Sequence, residues 1–177
     1  MTHSAIKAGS LFPSTVVTGV EGEAVDISQI SENADWRMVI VYRGKHCPLC
    51  TKYLNLLETY KERFAKNGVE IVAVSADSKE QLEIHLPALE ISFPIYHGLS
   101  IEQMKALGVY ISDPRSEKET DHAFAEPGLF VINEKGKVQL LDISNGPFSR
   151  PDLAVLAGGL EFIKAPENDY PIRGTHQ

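Results

Sequence analysis

The apolar positions along the chain fall into short continuous runs and into longer stretches with a helical period. Residues 37–43 form a nearly continuous apolar run rich in β-branched side chains, which is typical of a strand buried on both faces. Residues 70–75 have the same character. Further strands are predicted as follows: one or two within residues 16–27, and one each at 93–96, 129–132 and 138–143.

A helical period begins after Gly44, which ends the first buried run. Apolar side chains recur every three or four positions from Cys50 to Phe64, and polar residues lie between them. Gly68 is a plausible C-terminal stop because glycine adopts the left-handed conformation that ends many helices. The pattern therefore predicts an amphipathic helix directly after the strand at 37–43.

Three more helices are predicted from their start signals. Ser78 and Ser100 are each followed three residues later by a glutamine, which is the pattern of a capping box. A last helix is expected to carry Pro151 in its first turn and to run to about Lys164. Before it, the polar segment 133–137 joins two strands and indicates a hairpin.

Strands and helices that alternate in this order predict an α/β fold with a mixed central sheet. Helices should cover both faces of the sheet, and a β-hairpin and a helix should close the chain. The length fits one domain, and no repeat or linker divides the sequence, so we predict a single domain over residues 1–177. Open α/β sheets place their sites at the carboxyl ends of strands, which here is the segment after residue 43.

Composition and charge narrow the function classes. Hydrophobic residues make up 43% and charged residues 23% of the chain, as in ordinary soluble proteins. A net charge of −7 disfavours nucleic acid or an anionic membrane as a partner, because Lys and Arg must gather to neutralise phosphate. No apolar run approaches the ~20 residues that cross a bilayer. Residues 1–10 lack the apolar core of a signal peptide, so a cytoplasmic location is expected.

The chain has two cysteines, Cys47 and Cys50, and their spacing points to reactivity. A disulfide between them would close almost no loop and would stabilise the fold very little. Cys47 should lie at or beside the N-cap of the helix that begins with Pro48, where free amides and the positive helix end favour a thiolate. Arg43 and the neighbouring Lys45 and His46 can add positive potential. One sulfur can then attack an oxidised substrate while the other displaces the product.

Two cysteines at this spacing have two other interpretations. Half of a zinc site is one, but no second Cys-x-x-Cys or histidine pair supplies the remaining ligands. Two inert core cysteines are the other, and Cys50 does lie on the apolar helix face, but Cys47 does not. The redox interpretation is therefore preferred, and no metal or cofactor is expected.

Two stretches resemble the peroxiredoxin-like branch of the thioredoxin superfamily, the group of alkyl hydroperoxide reductase and thiol-specific antioxidant proteins. Residues 39–50 read Val-Ile-Val-Tyr-Arg-Gly-Lys-His-Cys-Pro-Leu-Cys, and residues 127–136 read Pro-Gly-Leu-Phe-Val-Ile-Asn-Glu-Lys-Gly. In element order the likeness covers roughly residues 11–143. It implies a thioredoxin fold, reduction of peroxides or disulfides, and a thioredoxin-like or small-thiol reductant. A homodimer is compatible with it.

The chain departs from the peroxiredoxin pattern in two places. Peroxiredoxins have Thr-x-x-Cys, so Cys50 takes the position of the peroxide-attacking cysteine and Cys47 replaces the threonine. They also place an arginine before the Gly-Leu-Phe-like strand, where this chain has Pro127. Pro127 instead resembles the cis-proline that faces the dithiol in thioredoxins, and we expect it to be cis. Arg43 either replaces the missing arginine or is an exposed cation at the strand end.

The resemblance supports two enzymatic hypotheses and leaves one that is not enzymatic. In the first, Cys50 attacks a hydroperoxide, becomes a sulfenic acid and is resolved by Cys47. In the second, Cys47 attacks a protein disulfide and Cys50 resolves the mixed disulfide. In the third, the dithiol is a redox switch that oxidises once and turns over no substrate.

Overall fold

The computed structural model describes residues 6–177 and contains, within them, nine strands and four α-helices. The strands are β1 (Val16–Thr18), β2 (Ala24–Asp26), β3 (Trp36–Val41), β4 (Val69–Val74), β5 (Ile95–Tyr96), β6 (Ile111–Ser112), β7 (Phe124–Ala125), β8 (Gly128–Ile132) and β9 (Val138–Ile143). The helices are α1 (Pro48–Lys66), α2 (Lys79–His85), α3 (Ile101–Leu107) and α4 (Leu153–Lys164). Short 3₁₀ turns lie at Leu86–Ala88 and Pro166–Asn168.

A five-stranded sheet with the order β5-β4-β3-β8-β9 lies at the centre. β3 runs parallel to β4, and β4 runs parallel to β5. β8 is antiparallel to both β3 and β9. Every residue of β3 is buried, as expected for a central strand that is covered on both faces. The mixed sheet and the closing hairpin β8–β9 are confirmed.

Apolar side chains from the two faces of the sheet enter two separate cores. Met38 and Ile40 of β3 pack on one face together with residues of α1 and α4. Val39 and Val41 point to the opposite face, where they pack with residues of α3 and of the N-terminal hairpin β1–β2. This alternation follows from the two-residue period of a strand. Helices therefore cover both faces, which confirms the predicted α/β thioredoxin fold.

The predicted starts and ends of the helices are confirmed in all but one case. Cys47 is the N-cap of α1 with Pro48 at its first position, and Gly68 follows the end of the helix with a φ of +75°. Both capping boxes are formed, at Ser78 and at Ser100. The expectation for α4 was wrong in detail: Asp152 is its N-cap and accepts a hydrogen bond from the Val155 amide at 2.9 Å. Pro151 therefore precedes the helix.

Within residues 6–177, none of the helices has the length and apolar character needed to cross a membrane. The prediction about a signal peptide concerned residues 1–10, and the first five of these lie outside the described residues.

Candidate active site

The two cysteines lie where the chain leaves the sheet and begins α1. Cys47 is the N-cap in extended conformation, and its Sγ accepts a hydrogen bond from the Cys50 backbone amide at 3.2 Å. Both thiols are free, and almost no surface of either residue reaches solvent. The structure thus holds the reduced dithiol at the carboxyl end of β3, where the sequence placed it.

The loop before Cys47 is shaped by Gly44 and Asp77. Gly44 has a φ of +138°, and a Cβ there would lie 2.5 Å from Asp77 Oδ1. Asp77 Oδ2 accepts a hydrogen bond from the Lys45 amide at 2.8 Å, and the Asp77 side chain is fully buried. Only glycine fits this conformation and this space. The carboxylate of Asp77 therefore fixes the path of the chain into the dithiol.

Arg150, which the sequence analysis did not select, is in direct contact with the dithiol. Its Nη2 donates a hydrogen bond to Cys50 Sγ at 2.9 Å and lies 3.9 Å from Cys47 Sγ. The guanidinium also lies 5.0 Å from the ring centroid of Tyr53, whose hydroxyl donates to the Pro151 carbonyl at 2.8 Å. Arg150 lies between β9 and α4, and α4 packs on α1. No local sequence signal marks Arg150, and its place beside the dithiol follows from the packing of α4 on α1.

The two sulfurs differ in acidity. The pKa of Cys47 is lowered to about 6 by a hydrogen bond from the Cys50 thiol, a second from the Cys50 amide and the charge of Arg150, all against the effect of burial. Burial raises the pKa of Cys50, and the nearby Cys47 raises it further. Arg150 is closer to Cys50, which by itself favours a Cys50 thiolate. Cys47 is nevertheless the thiolate, because the hydrogen bonds at the helix N-cap stabilise its charge and because it is less buried than Cys50.

An open cleft borders one of the two cysteines. It has a volume of about 690 Å³, and Cys47 is part of its wall whereas Cys50 is not. We call it the Cys47 cleft. Its other walls include charged and apolar side chains: Arg43, Lys45, Leu49, Arg115, Lys118, Glu119, Pro147 and Phe148. A reactant that enters the cleft therefore comes closer to Cys47 than to Cys50, although only 1% of the Cys47 surface is exposed in this structure.

Arg43 lies in the wall of this cleft and is not a simple exposed cation. Its Nη2 donates to Glu119 Oε1 at 3.3 Å, and its Nε lies 3.1 Å from Glu126 Oε2. The guanidinium also lies 4.7 Å from the ring centroid of Phe124. Arg43 makes a small contribution to the lowered pKa of Cys47. Glu126, a buried residue that the sequence analysis did not select, forms an ion pair with Arg43 that helps to hold the guanidinium in place.

Pro127 is buried directly before β8, but its peptide bond is trans. No peptide bond among residues 6–177 is cis, so the expected cis-proline was wrong. Gly128 pairs with Val41 of β3, and the Pro127 carbonyl accepts a hydrogen bond from the Ser144 amide at 3.0 Å. Pro127 lies with Tyr53 and Arg150 around a small cavity, so the structure brings it to the neighbourhood of the dithiol.

His46 supplies no positive charge to the site, contrary to expectation. Its ring packs edge-on against Phe124, with 4.5 Å between centroids. Burial, and next the charge of Arg43, lower the pKa of His46. Within the part of the chain that the structure describes, neither ring nitrogen has a hydrogen-bond partner. His46 is therefore neutral at physiological pH and acts as a packing residue.

No cluster of three or more His, Cys, Asp or Glu side chains able to hold a metal ion lies within residues 6–177.

One known family matches most of the chain. The model of the AhpC/TSA family matches residues 8–141, which is well over half of the chain. The chain belongs to the AhpC/TSA family. The matched region contains both cysteines, Arg43 and Pro127 but ends before Arg150.

Curated relatives of two kinds are similar to this AhpC/TSA protein. A protein named 1-Cys peroxiredoxin from Medicago truncatula is 25% identical over 112 residues, which cover 59% of this chain and 50% of the relative. The thiol-disulfide oxidoreductase ResA of Halalkalibacterium halodurans is 24% identical over 137 residues, which cover 77% and 68%. The chain thus spans about half the length of the first relative.

Solved structures support the fold. Peroxiredoxin 6 of Arenicola marina has a TM-score of 0.74 at 18% identity, over 90% of this chain and 74% of that chain. A peroxiredoxin-like protein from Aquifex aeolicus has a TM-score of 0.73 at 15% identity, over 90% and 89%. The AhpC/TSA chain therefore has the thioredoxin-type fold of these proteins.

Proposed function

We propose that this AhpC/TSA protein is a thiol-dependent oxidoreductase that reduces hydroperoxides through a dithiol/disulfide cycle of Cys47 and Cys50. One observation carries the proposal: Cys47 combines a pKa lowered to about 6 with a place in the wall of an open cleft. A thiolate at neutral pH is the form that attacks peroxides. Cys50, whose amide contacts Cys47 Sγ, is in position to resolve the product.

The cycle begins with attack of the Cys47 thiolate on one oxygen of the hydroperoxide. The O–O bond breaks, Cys47 becomes a sulfenic acid, and the leaving alkoxide takes a proton to give an alcohol. Cys50 Sγ then attacks Cys47 Sγ, its proton leaves with the hydroxyl as water, and a disulfide forms. The dithiol has given two electrons to the peroxide. A small thiol or a thioredoxin-like donor returns two electrons and two protons.

This order of attack is the reverse of the one that the resemblance implies. The peroxiredoxin pattern assigns the first attack to Cys50, but Cys50 has a raised pKa and does not border the cleft. Arg150 contacts both sulfurs, so its charge can stabilise negative charge on whichever sulfur is ionised. Cys47 as the first nucleophile therefore fits the geometry better.

A second candidate function is reduction of protein disulfides, as in the relatives named thiol-disulfide oxidoreductase. One observation favours it: apolar side chains beside the dithiol are open to solvent. Phe148 is 88% exposed and Leu56 is 50% exposed, and both border a shallow groove next to Arg150. A polypeptide substrate would cover such side chains. Here too Cys47 attacks first.

The decisive assay follows consumption of hydrogen peroxide and reduction of insulin with one thiol donor. Cys47→Ser should abolish peroxide consumption. Cys50→Ser should leave a first attack that stops at a Cys47 sulfenic acid, which dimedone traps and mass spectrometry detects. Peroxide consumption that survives in Cys47→Ser and is lost in Cys50→Ser would restore the peroxiredoxin order. Insulin reduction without peroxide consumption would favour the second candidate, and full activity in both variants would exclude the dithiol.

A further inference from the structure

The Cys47 cleft is positively charged although the whole chain carries a net charge of −7. Its wall contains one acidic side chain, Glu119, and four cationic side chains: Arg43, Lys45, Arg115 and Lys118. Because the rest of the protein is acidic, this concentration of positive charge sets the cleft apart electrostatically.

The one carboxylate in the cleft is already engaged. Glu119 Oε1 accepts from Arg43, and Glu119 Oε2 accepts from the Arg115 amide at 2.8 Å and from Arg115 Nε at 3.0 Å. Its charge is therefore balanced within the protein. The charge of the two lysines is left to face the cleft.

Lys45 and Lys118 are both exposed, and within residues 6–177 neither forms an ion pair with an acidic side chain. The position of Lys45 is fixed, since its amide is bound by Asp77 and it lies two residues before Cys47. Two ammonium groups thus border the space through which a reactant approaches the Cys47 sulfur.

The cleft also has apolar side chains in its wall. Leu49, Pro147 and Phe148 line it, and Phe148 is almost fully exposed. Cationic and apolar side chains in one cleft match a molecule with an anionic group and an apolar body. The volume of the cleft is in the range of small-molecule sites.

We propose that the Cys47 cleft selects a reactant that carries a carboxylate on an apolar body. This inference rests on the proposed function, under which the reactant is a carboxylate-bearing organic hydroperoxide. The carboxylate is attracted by Lys45 and Lys118, and the apolar body lies against Leu49 and Phe148 while the peroxide oxygen meets Cys47. Exposed charges act mainly on the approach and are screened by salt, so the preference is moderate in size and depends on ionic strength.

A first test uses two alkylating probes of the Cys47 thiolate that differ in charge. Iodoacetate is an anion and iodoacetamide is its neutral counterpart, so the ratio of their rate constants with reduced protein reports on charge alone. The ratio should exceed that of the unfolded chain and fall about three- to tenfold in the Lys45→Gln/Lys118→Gln variant. It should also fall when sodium chloride rises from about 20 mM to 500 mM.

A matched control carries the same change in net charge away from the cleft. Lys66, at the far end of α1, and Lys135, in the β8–β9 hairpin, are both exposed. The Lys66→Gln/Lys135→Gln variant should keep the wild-type ratio. An equal fall in both double variants, or no fall in either, would overturn the proposal.

A second test separates this inference from the proposed function. Initial rates are measured with a fatty-acid hydroperoxide and with its methyl ester, which lacks the charge. The kcat/KM ratio of acid to ester should be above one and should fall severalfold in Lys45→Gln/Lys118→Gln. If neither compound is turned over but alkylation still depends on charge, the peroxidase function fails and the selectivity stands. Turnover with equal kcat/KM for acid and ester would overturn the selectivity alone.

Discussion

Arg150 Nη2 lies 2.9 Å from Cys50 Sγ and 3.9 Å from Cys47 Sγ, so one guanidinium serves both sulfurs of the dithiol. During the proposed cycle the negative charge leaves Cys47 when it is oxidised and returns when the disulfide is reduced. A cation that touches both sulfurs can stabilise each ionised state without moving far. Arg150 thus supplies positive charge at the dithiol, to which Arg43 adds a smaller contribution.

Replacement of Arg150 by Gln should make the Cys47 thiolate less stable. The pKa of Cys47 should rise from about 6, so the midpoint of a pH profile of iodoacetamide alkylation should move upward. At pH 6.5 the rate should fall several-fold, whereas above pH 9.5 it should change little. Arg150→Lys should restore part of the effect, because it keeps the charge but loses the planar donor geometry.

The control for this variant is Arg63→Gln, which breaks an exposed ion pair with Glu161 on the surface between α1 and α4. Its alkylation profile should equal that of the wild type. If the Arg150→Gln midpoint does not move while the fold is intact by circular dichroism, Arg150 has no electrostatic role at the dithiol.

The lowered pKa of Cys47 should also appear in the pH dependence of folding stability. A thiol has an ordinary pKa of 9.0 and Cys47 one of about 6 in the folded protein, so between these values only the unfolded chain keeps the proton. The free energy of unfolding contributed by the thiolate therefore rises as pH increases from about 6 to 9, and it is lost as pH falls through 6.

The measurement is urea unfolding of reduced wild type and reduced Cys47→Ser across this pH range. Serine can replace Cys47 as an N-cap but does not ionise, so the difference between the two proteins isolates the thiolate. This difference should grow with pH up to about 9 and then level off. A difference that stays constant over the range would show that the folded Cys47 thiol has an ordinary pKa, and one that shrinks would show that its pKa is raised.

The parts of the site that the sequence predicted are those set by local chemistry. A buried apolar run, Gly44, the N-cap position of Cys47 and Pro48 follow one another within a dozen residues, and each is a signal that acts over one helical turn. The same holds for the capping boxes at Ser78 and Ser100. Local sequence was therefore enough to place the dithiol at the end of β3.

The parts that were missed depend on contacts between distant segments. Arg150 is a hundred residues from Cys50, and Glu126 and Asp77 approach the site from separate loops. An arginine or a buried carboxylate has no local pattern that reveals its partner. The motif around Pro127 likewise did not reveal that its peptide bond is trans.

Gly44→Ala tests whether the loop before the dithiol is fixed by backbone conformation and by Asp77 together. A φ of +138° suits glycine alone, and the added Cβ would meet the buried Asp77 carboxylate at 2.5 Å. The backbone strain should cost about 1–3 kcal/mol of unfolding free energy, and displacement of Asp77 should add to this and slow alkylation of Cys47.

Gly22→Ala is the matched control, because Gly22 also has a positive φ but has no atom within 4 Å of the new Cβ. It should be the less destabilised of the two variants in urea unfolding and should leave Cys47 alkylation unchanged. Equal losses of stability, with Cys47 alkylated at the wild-type rate in both, would mean that Asp77 does not hold the loop.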